Sequence, residues 1–351
     1  MSVSDPTATA TAMATELATL TAEVRALRGG AGAFVRPREF VAVRGEDAES
    51  YLQGQLSQDV VALSVGQSTD SLLLAPDGKL VALLRVTRLD AQGFLLDTDA
   101  GFGETVVARL RKFLLRSKVE LEVLPWRCLS LRGAEVDQAA AGLLAVLAEA
   151  GVLAVPYSWS GWQGLDLLGG RDIVLDPGAD ALPSAVLACS RDAVEVCRID
   201  SGIPAMGAEL TTKTIAAEAG TALVERTVNF DKGCYTGQEL VARLDSRGSN
   251  MPRRLVGIVS AGAAEDVAAQ LLFGMTLHGP EPVEDATADK VVGTVTSAAW
   301  SPELGAWVGL GYLHRSVEAP GPVRVRSGDG LGPAHQAEVR TLPLVSTATV
   351  V

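Results

Sequence analysis

The stretch Lys232-Gly233-Cys234-Tyr235-Thr236-Gly237-Gln238-Glu239 organises the interpretation of this chain, because it sets a thiol just ahead of the start of a helix. Thr236 is spaced to serve as N-cap, with Glu239 three residues on in the capping-box position. Tyr235 and Leu240 flank the box as a hydrophobic staple, and the helix is expected to continue through Leu244. Cys234 then faces unpaired backbone N–H groups and the positive end of the helix dipole, with Lys232 as a second cationic influence. Both favour thiolate over thiol. The alternative is a small apolar cysteine in a loop whose turns need Gly233 and Gly237.

The octet resembles the signature of the YgfZ-type branch of the folate-binding family related to the glycine-cleavage T-protein, an aminomethyltransferase. Three further stretches agree in order: Tyr51-Leu52-Gln53-Gly54-Gln55-Leu56-Ser57-Gln58-Asp59-Val60, Arg198-Ile199-Asp200-Ser201-Gly202-Ile203-Pro204, and Val292-Gly293-Thr294-Val295-Thr296-Ser297 with Ser301-Pro302. An octet with three ordered companions is far more specific than a lone glycine pattern. The resemblance implies an α/β (α+β) protein of three domains around a central channel, with a small C-terminal β-barrel. It also implies tetrahydrofolate as cofactor and a role in assembling or repairing iron–sulfur clusters in client enzymes.

The resemblance places the folate in the channel near Asp200, where the family carries a glutamate that hydrogen-bonds the pterin. Aspartate is shorter by one carbon–carbon bond, about 1.5 Å. Its alternative is a turn or cap residue before Gly202. Arg198, Gln55, Tyr235, Gln238 and Glu239 are the further cofactor-binding candidates, and Cys234 with Lys232 the candidate functional pair. The T-protein's catalytic aspartate has no counterpart, since the corresponding stretch reads Asp77-Gly78-Lys79-Leu80-Val81-Ala82. Glycine-cleavage activity is therefore not expected. Two alternatives stay open: a folate-dependent one-carbon (aminomethyl or methyl) transferase using Cys234, and direct ligation of a cluster by Cys234, for which one thiol needs ligands from elsewhere.

Composition narrows the rest. At 351 residues the chain exceeds what one core serves well, so several domains are expected. The net charge of −12 argues against nucleic-acid partners. Cys128, Cys189, Cys197 and Cys234 show neither metal nor disulfide spacing, and His278, His314 and His335 are widely separated. With no signal-like N-terminus and no membrane-length apolar run, a cytoplasmic protein is expected, without membrane partners.

Along the chain, residues 1–32 are Ala/Thr-rich and read as a flexible tail. Residues 33–126 form a first α/β unit, with a hairpin turning at Pro76-Asp77-Gly78-Lys79 and a helix from Gly103 to about Ser117. That helix carries Arg109, Arg111, Lys112 and Arg116, with Lys118 just beyond. A second unit, 127–254, holds a helix from Val136 to Ala150 and the octet. Between Lys232 and Arg254, five basic residues oppose Glu239 and Asp245, giving 5 − 2 = +3. Short apolar runs broken by Gly and Pro over 255–345 mark the β-barrel.

Overall fold

Alternating apolar strands joined by Asp-Gly and Gly-rich turns build three sheets in the computed structural model, which describes residues 6–171, 182–241, 251–260, 262, 270–281, 289–327 and 334–346. In chain order the first strands are β1 (Gly32–Arg36), β2 (Arg38–Arg44), β3 (Ser68–Leu74), β4 (Leu80–Arg88), β5 (Gly93–Asp99) and β6 (Glu120–Leu124). Then come β7 (Trp126–Arg132), β8 (Leu153–Trp159), β9 (Trp162–Gly170) and β10 (Leu187–Ala188). The barrel strands are β11 (Arg253–Ser260), β12 (Thr276–His278), β13 (Val291–Ser301), β14 (Ala306–His314), β15 (Gly321–Arg326) and β16 (His335–Arg340). The helices are α1 (Pro6–Arg28), α2 (Ala48–Gln55), α3 (Gly103–Arg111), α4 (Val136–Ala139), α5 (Ala141–Glu149), α6 (Arg191–Asp200) and α7 (Thr221–Thr227).

One sheet has the order β3-β4-β5-β2-β6, the second β10-β1-β7-β9-β8, and the third closes as a barrel, β11-β14-β13-β12-β15-β16. All pairings are antiparallel except β1 with β10. The expected mixed α/β fold with a C-terminal barrel is thus present, and the hairpin turns where Asp77-Gly78 requires it, with Gly78 at φ +80°. The chain crosses between sheets early, because β1 pairs with β7 while β2, one residue later, joins the first sheet.

Residues 6–28, expected as a flexible tail, form α1, and its side chains Val24 and Leu27 are buried in the main core. Trp162 Nε1 donates to the Leu27 carbonyl at 3.0 Å, tying the helix to the second sheet. The helix expected to reach Ser117 ends at Arg111. Glu120 must pair with Arg44, so the chain reverses through turns in which Arg116 takes φ +68°. The helix expected over 136–150 is broken at Ala140, which is fully buried beside Val136 and Leu147.

The two open sheets meet through charge rather than through apolar contact alone. Asp97 on β5 accepts from Arg38 (2.7 Å) and Arg85 (2.9 Å), and Arg85 reaches across to Asp166 on β9 at 2.8 Å. Arg132 Nη2 and the Ser130 hydroxyl complete Asp166 at 2.6 and 2.7 Å, and Arg36 lies 3.4 Å away. Arg38 also binds Asp99 at 2.6 Å. Burial works against the charged form of Asp166, yet Arg132, Arg85 and Arg36 hold its carboxyl well below the usual range. Removing one member strands the others without water, a loss of about 3–5 kcal/mol for a broken buried pair. Asp166→Asn is expected to lower unfolding stability by that amount in urea titrations. A loss under about 1 kcal/mol would show that the network does not hold the sheets together.

Candidate functional site

The C-terminal end of α2 anchors the octet. Lys232 Nζ donates to the carbonyls of Gln53 (2.8 Å), Leu56 (2.7 Å) and Gln58 (2.9 Å), so the ammonium closes carbonyls left open at and beyond the helix end. Burial pushes the Lys232 amine down to about 8, against the pull of Asp59. The Thr236 N–H donates to Gly54 at 3.1 Å. Gly237 sits at φ +85°, and a side chain there would meet the Ala75 carbonyl at 2.5 Å and Leu74 Cβ at 2.9 Å, so this turn packs directly on the β3–β4 hairpin.

That close approach moves the cap. A residue at φ +85° cannot be the first helical residue, so the helix begins at Gln238 with Gly237, not Thr236, in the cap position. Gln238 Oε1 accepts from the Tyr235 N–H at 3.0 Å, and the Thr236 hydroxyl turns to the Gly54 carbonyl at 3.5 Å. The expected continuation through Leu244 passes beyond Val241 into residues outside those described, as do Arg243 and Arg247 of the basic cluster. Arg253 pairs with Glu218 at 3.0 Å and Arg254 donates to Val317, so neither is an open anion contact. Cys234 is exposed.

A separate cavity of about 500 Å³ opens where the two sheets, α6 and the Ile203–Met206 loop converge. Phe34, Tyr157 and Trp162 give it aromatic walls, and Met206 and Ile203 add apolar surface. Its charged lining is Arg36, Arg132, Arg191 and Arg198 against Asp99 and Glu195, 4 − 2 = +2. Arg132 stacks 3.9 Å from the Tyr157 ring centroid, and its buried Nε has no hydrogen-bond partner among the described residues. Arg198 positions the loop wall: it donates to the Ile203 carbonyl (2.6 Å), to buried Glu209 (3.1 Å) and to Glu195. The volume and the apolar walls with a few polar groups suit a drug-sized ligand.

The expected site residues therefore divide between two places. Gln55, Lys232, Cys234, Tyr235, Gln238 and Glu239 lie in α2 and the octet, where Gln55 Oε1 accepts from Arg109 at 3.1 Å and Lys232 Nζ stands 5.3 Å over the Tyr235 ring. Arg198 lines the cavity; Asp200 does not. At 100° per residue, Arg191, Val194, Glu195 and Arg198 share one face of α6 and Asp200 points the opposite way. There it meets Arg28 of α1 at 3.1 Å and Ser301 at 3.0 Å. The partner comes from the segment that composition had marked as a tail. Phe34, Arg36, Asp99, Arg132, Tyr157 and Trp162 were not anticipated, although single charges inside apolar strands, such as Asp166 in Gly164–Leu168, signal buried pairing.

The arrangement, two open sheets with a C-terminal barrel and an aromatic, cationic cavity where the sheets meet α6, is that of the T-protein-like class. Residues 11–161 match the GCVT N-terminal domain and residues 253–345 the glycine cleavage T-protein C-terminal barrel domain. The chain is 30% identical over 236 residues to the tRNA-modifying protein YgfZ of Vibrio vulnificus CMCP6, covering 64% of this chain and 69% of that one. It is 29% identical over 339 residues to an aminomethyltransferase of Rubrobacter xylanophilus, covering 90% and 84%. Among solved structures, the glycine cleavage system aminomethyltransferase T of Bartonella henselae superposes with a TM-score of 0.71 at 22% identity, covering 93% and 90%. The chain belongs to the YgfZ/GcvT family.

Two outcomes follow from these placements. Burial pushes the thiols of Cys128, Cys189 and Cys197 up to about 12, so exposed Cys234 should take up iodoacetamide first at pH 7. Faster labelling of any other cysteine, read by peptide mass spectrometry, would contradict this. Burial also raises the Asp200 carboxyl to about 6 despite Arg28 and Ser301. Its folded pKa lies above its unfolded value near 3.9, so the folded state binds the extra proton and stability falls as pH rises through roughly 4 to 6. The stability of wild type relative to Asp200→Asn should drop by about 3 kcal/mol across that window. A pH-independent difference would contradict it.

Proposed function

We propose that this protein binds tetrahydrofolate in the cavity between the sheets and supports the assembly or repair of iron–sulfur clusters in client enzymes. The observation that carries the proposal is a cavity with aromatic walls, a surplus of two positive charges and an unpartnered buried donor on Arg132, in a chain of the YgfZ/GcvT family. A reduced folate fits these groups: the Phe34, Tyr157 and Trp162 cluster would offer its ring an apolar wall, and Asp99 and Glu195 retain acceptor capacity for an amino-pyrimidinone edge. Arg36, Arg132 and Arg191 would meet its carboxylates. Bound tetrahydrofolate supplies a carrier for one-carbon units. Cys234 would act at the protein surface, away from the ring.

The transferase alternative lacks its charge. Leu80 and Ala82 are buried apolar residues, Val81 is partly buried, and preorganised charge of the T-protein kind commonly supplies several kcal/mol of barrier lowering. Reconstitution with the other glycine-cleavage components is accordingly expected to give no significant turnover.

Arg191 is exposed at the cavity and has no ion pair among the described residues, so its removal spares the fold. Arg191→Ala should weaken tetrahydrofolate binding about tenfold by calorimetry, the loss of one charged hydrogen bond, while Asp200→Asn leaves affinity unchanged. Unaltered affinity in Arg191→Ala, or a large loss in Asp200→Asn, would move the ligand out of this cavity.

A further inference from the structure

The end of α2 has a second neighbour besides the octet. Arg109 runs inward from α3, donating to the Leu74 carbonyl (3.0 Å) and to Gln55 (3.1 Å), with its guanidinium 4.1 Å from the Phe113 ring centroid. Gly237 packs on that same Leu74, so the α3 extension and the octet flank one turn. Beyond α3, Leu114 tucks against the core, while Phe113 is 39% and Leu115 84% exposed. On the octet side, Phe230 is 48% exposed and Cys234 is exposed. Arg116 is held at φ +68°, a strained conformation for a side-chain-bearing residue, where strain tends to mark working surfaces.

Charge singles this face out. Arg111, Lys112 and Arg116 are exposed and make no ion pair with any described residue, and no acidic residue occurs between 109 and 118. The whole chain carries −12. Exposed Phe113 and Leu115, set among the unpaired cations Arg111, Lys112 and Arg116, complement an acidic segment with apolar anchors. A nucleic acid fits less well, since the chain as a whole is strongly acidic and lacks a general basic charge.

We propose that the surface formed by Phe113, Leu115 and Phe230 with Arg111, Lys112 and Arg116 docks an acidic amphipathic segment of a partner protein and brings that partner to Cys234. The partner's identity as a cluster client rests on the function proposed above; the docking chemistry rests on the surface itself. The test is fluorescence anisotropy of the full-length protein with a labelled synthetic helix of about five turns, glutamate on one face and leucine on the other. The same helix with lysine for glutamate, and a single-stranded RNA, serve as competitors.

Binding of the acidic helix should fall as salt is added and weaken at least about tenfold both in Lys112→Glu/Leu115→Ser and, on a separate segment, in Phe230→Ser. Equal binding by both variants, no binding of the acidic helix, or displacement by the lysine helix or by RNA would overturn the proposal. This titration needs neither folate nor clusters. Failure of the proposed function would appear elsewhere, as unchanged cluster occupancy of cellular enzymes when the protein is deleted.

Discussion

Asp166 is the residue on which the rest of the architecture turns. It is fully buried, it lies on the second sheet, and it accepts from Arg85 of the first sheet as well as from Arg132 and Ser130 of its own. With Asp97 and Asp99 it balances three of the four guanidinium groups of Arg36, Arg38, Arg85 and Arg132, 4 − 3 = +1. A buried pair of this kind fixes orientation more surely than it adds stability, because desolvation offsets most of the Coulomb gain. The sheets are held at one angle, and the gap they leave beside the network is the cavity. Arg36, Arg132 and Asp99 of this network also line the cavity, where Arg132 Nε is left without a hydrogen-bond partner among the described residues.

A second consequence is the separation of two chemistries. The cavity is walled by α6 and by the loop that Arg198 and Glu209 hold, and the barrel seals that loop through Thr296 and Ser297 bonding Glu209 at 2.7 Å. The octet stands at the far end of α2, fixed by the Lys232 ammonium and by the contact of Gly237 with the hairpin. No octet residue lines the cavity among the described residues. On the proposed reading, an exposed thiol and a folate held in the separate cavity would suit a protein that hands something to a partner better than an enzyme that reacts both groups together.

Much of this was legible in the sequence where the signal is local. Asp77-Gly78 set the hairpin, the Gly- and Pro-broken apolar runs set the barrel, and the octet marked the turn before a helix. Leu17, Leu20, Val24 and Leu27 recur at helical spacing, yet Ala/Thr composition made α1 resemble a tail, and with it Arg28 and the true setting of Asp200 were lost. The cap shifted by one residue because the need for a left-handed Gly237 arises from Leu74 and Ala75, more than 160 positions away. Arg85 and Asp97 sit in apolar strands, a sign of buried pairing that the sequence interpretation left unused, and their partner Asp166 is identified only by how two sheets are placed in space.

The most direct test of the account is a crystal structure of the protein grown with tetrahydrofolate. The account predicts ring density in the cavity against the wall of Phe34, Tyr157 and Trp162, with a carboxylate or ring acceptor meeting Arg132 Nε. Density instead in the cavity beside α1 lined by Arg28, Pro302 and Glu303 would contradict it.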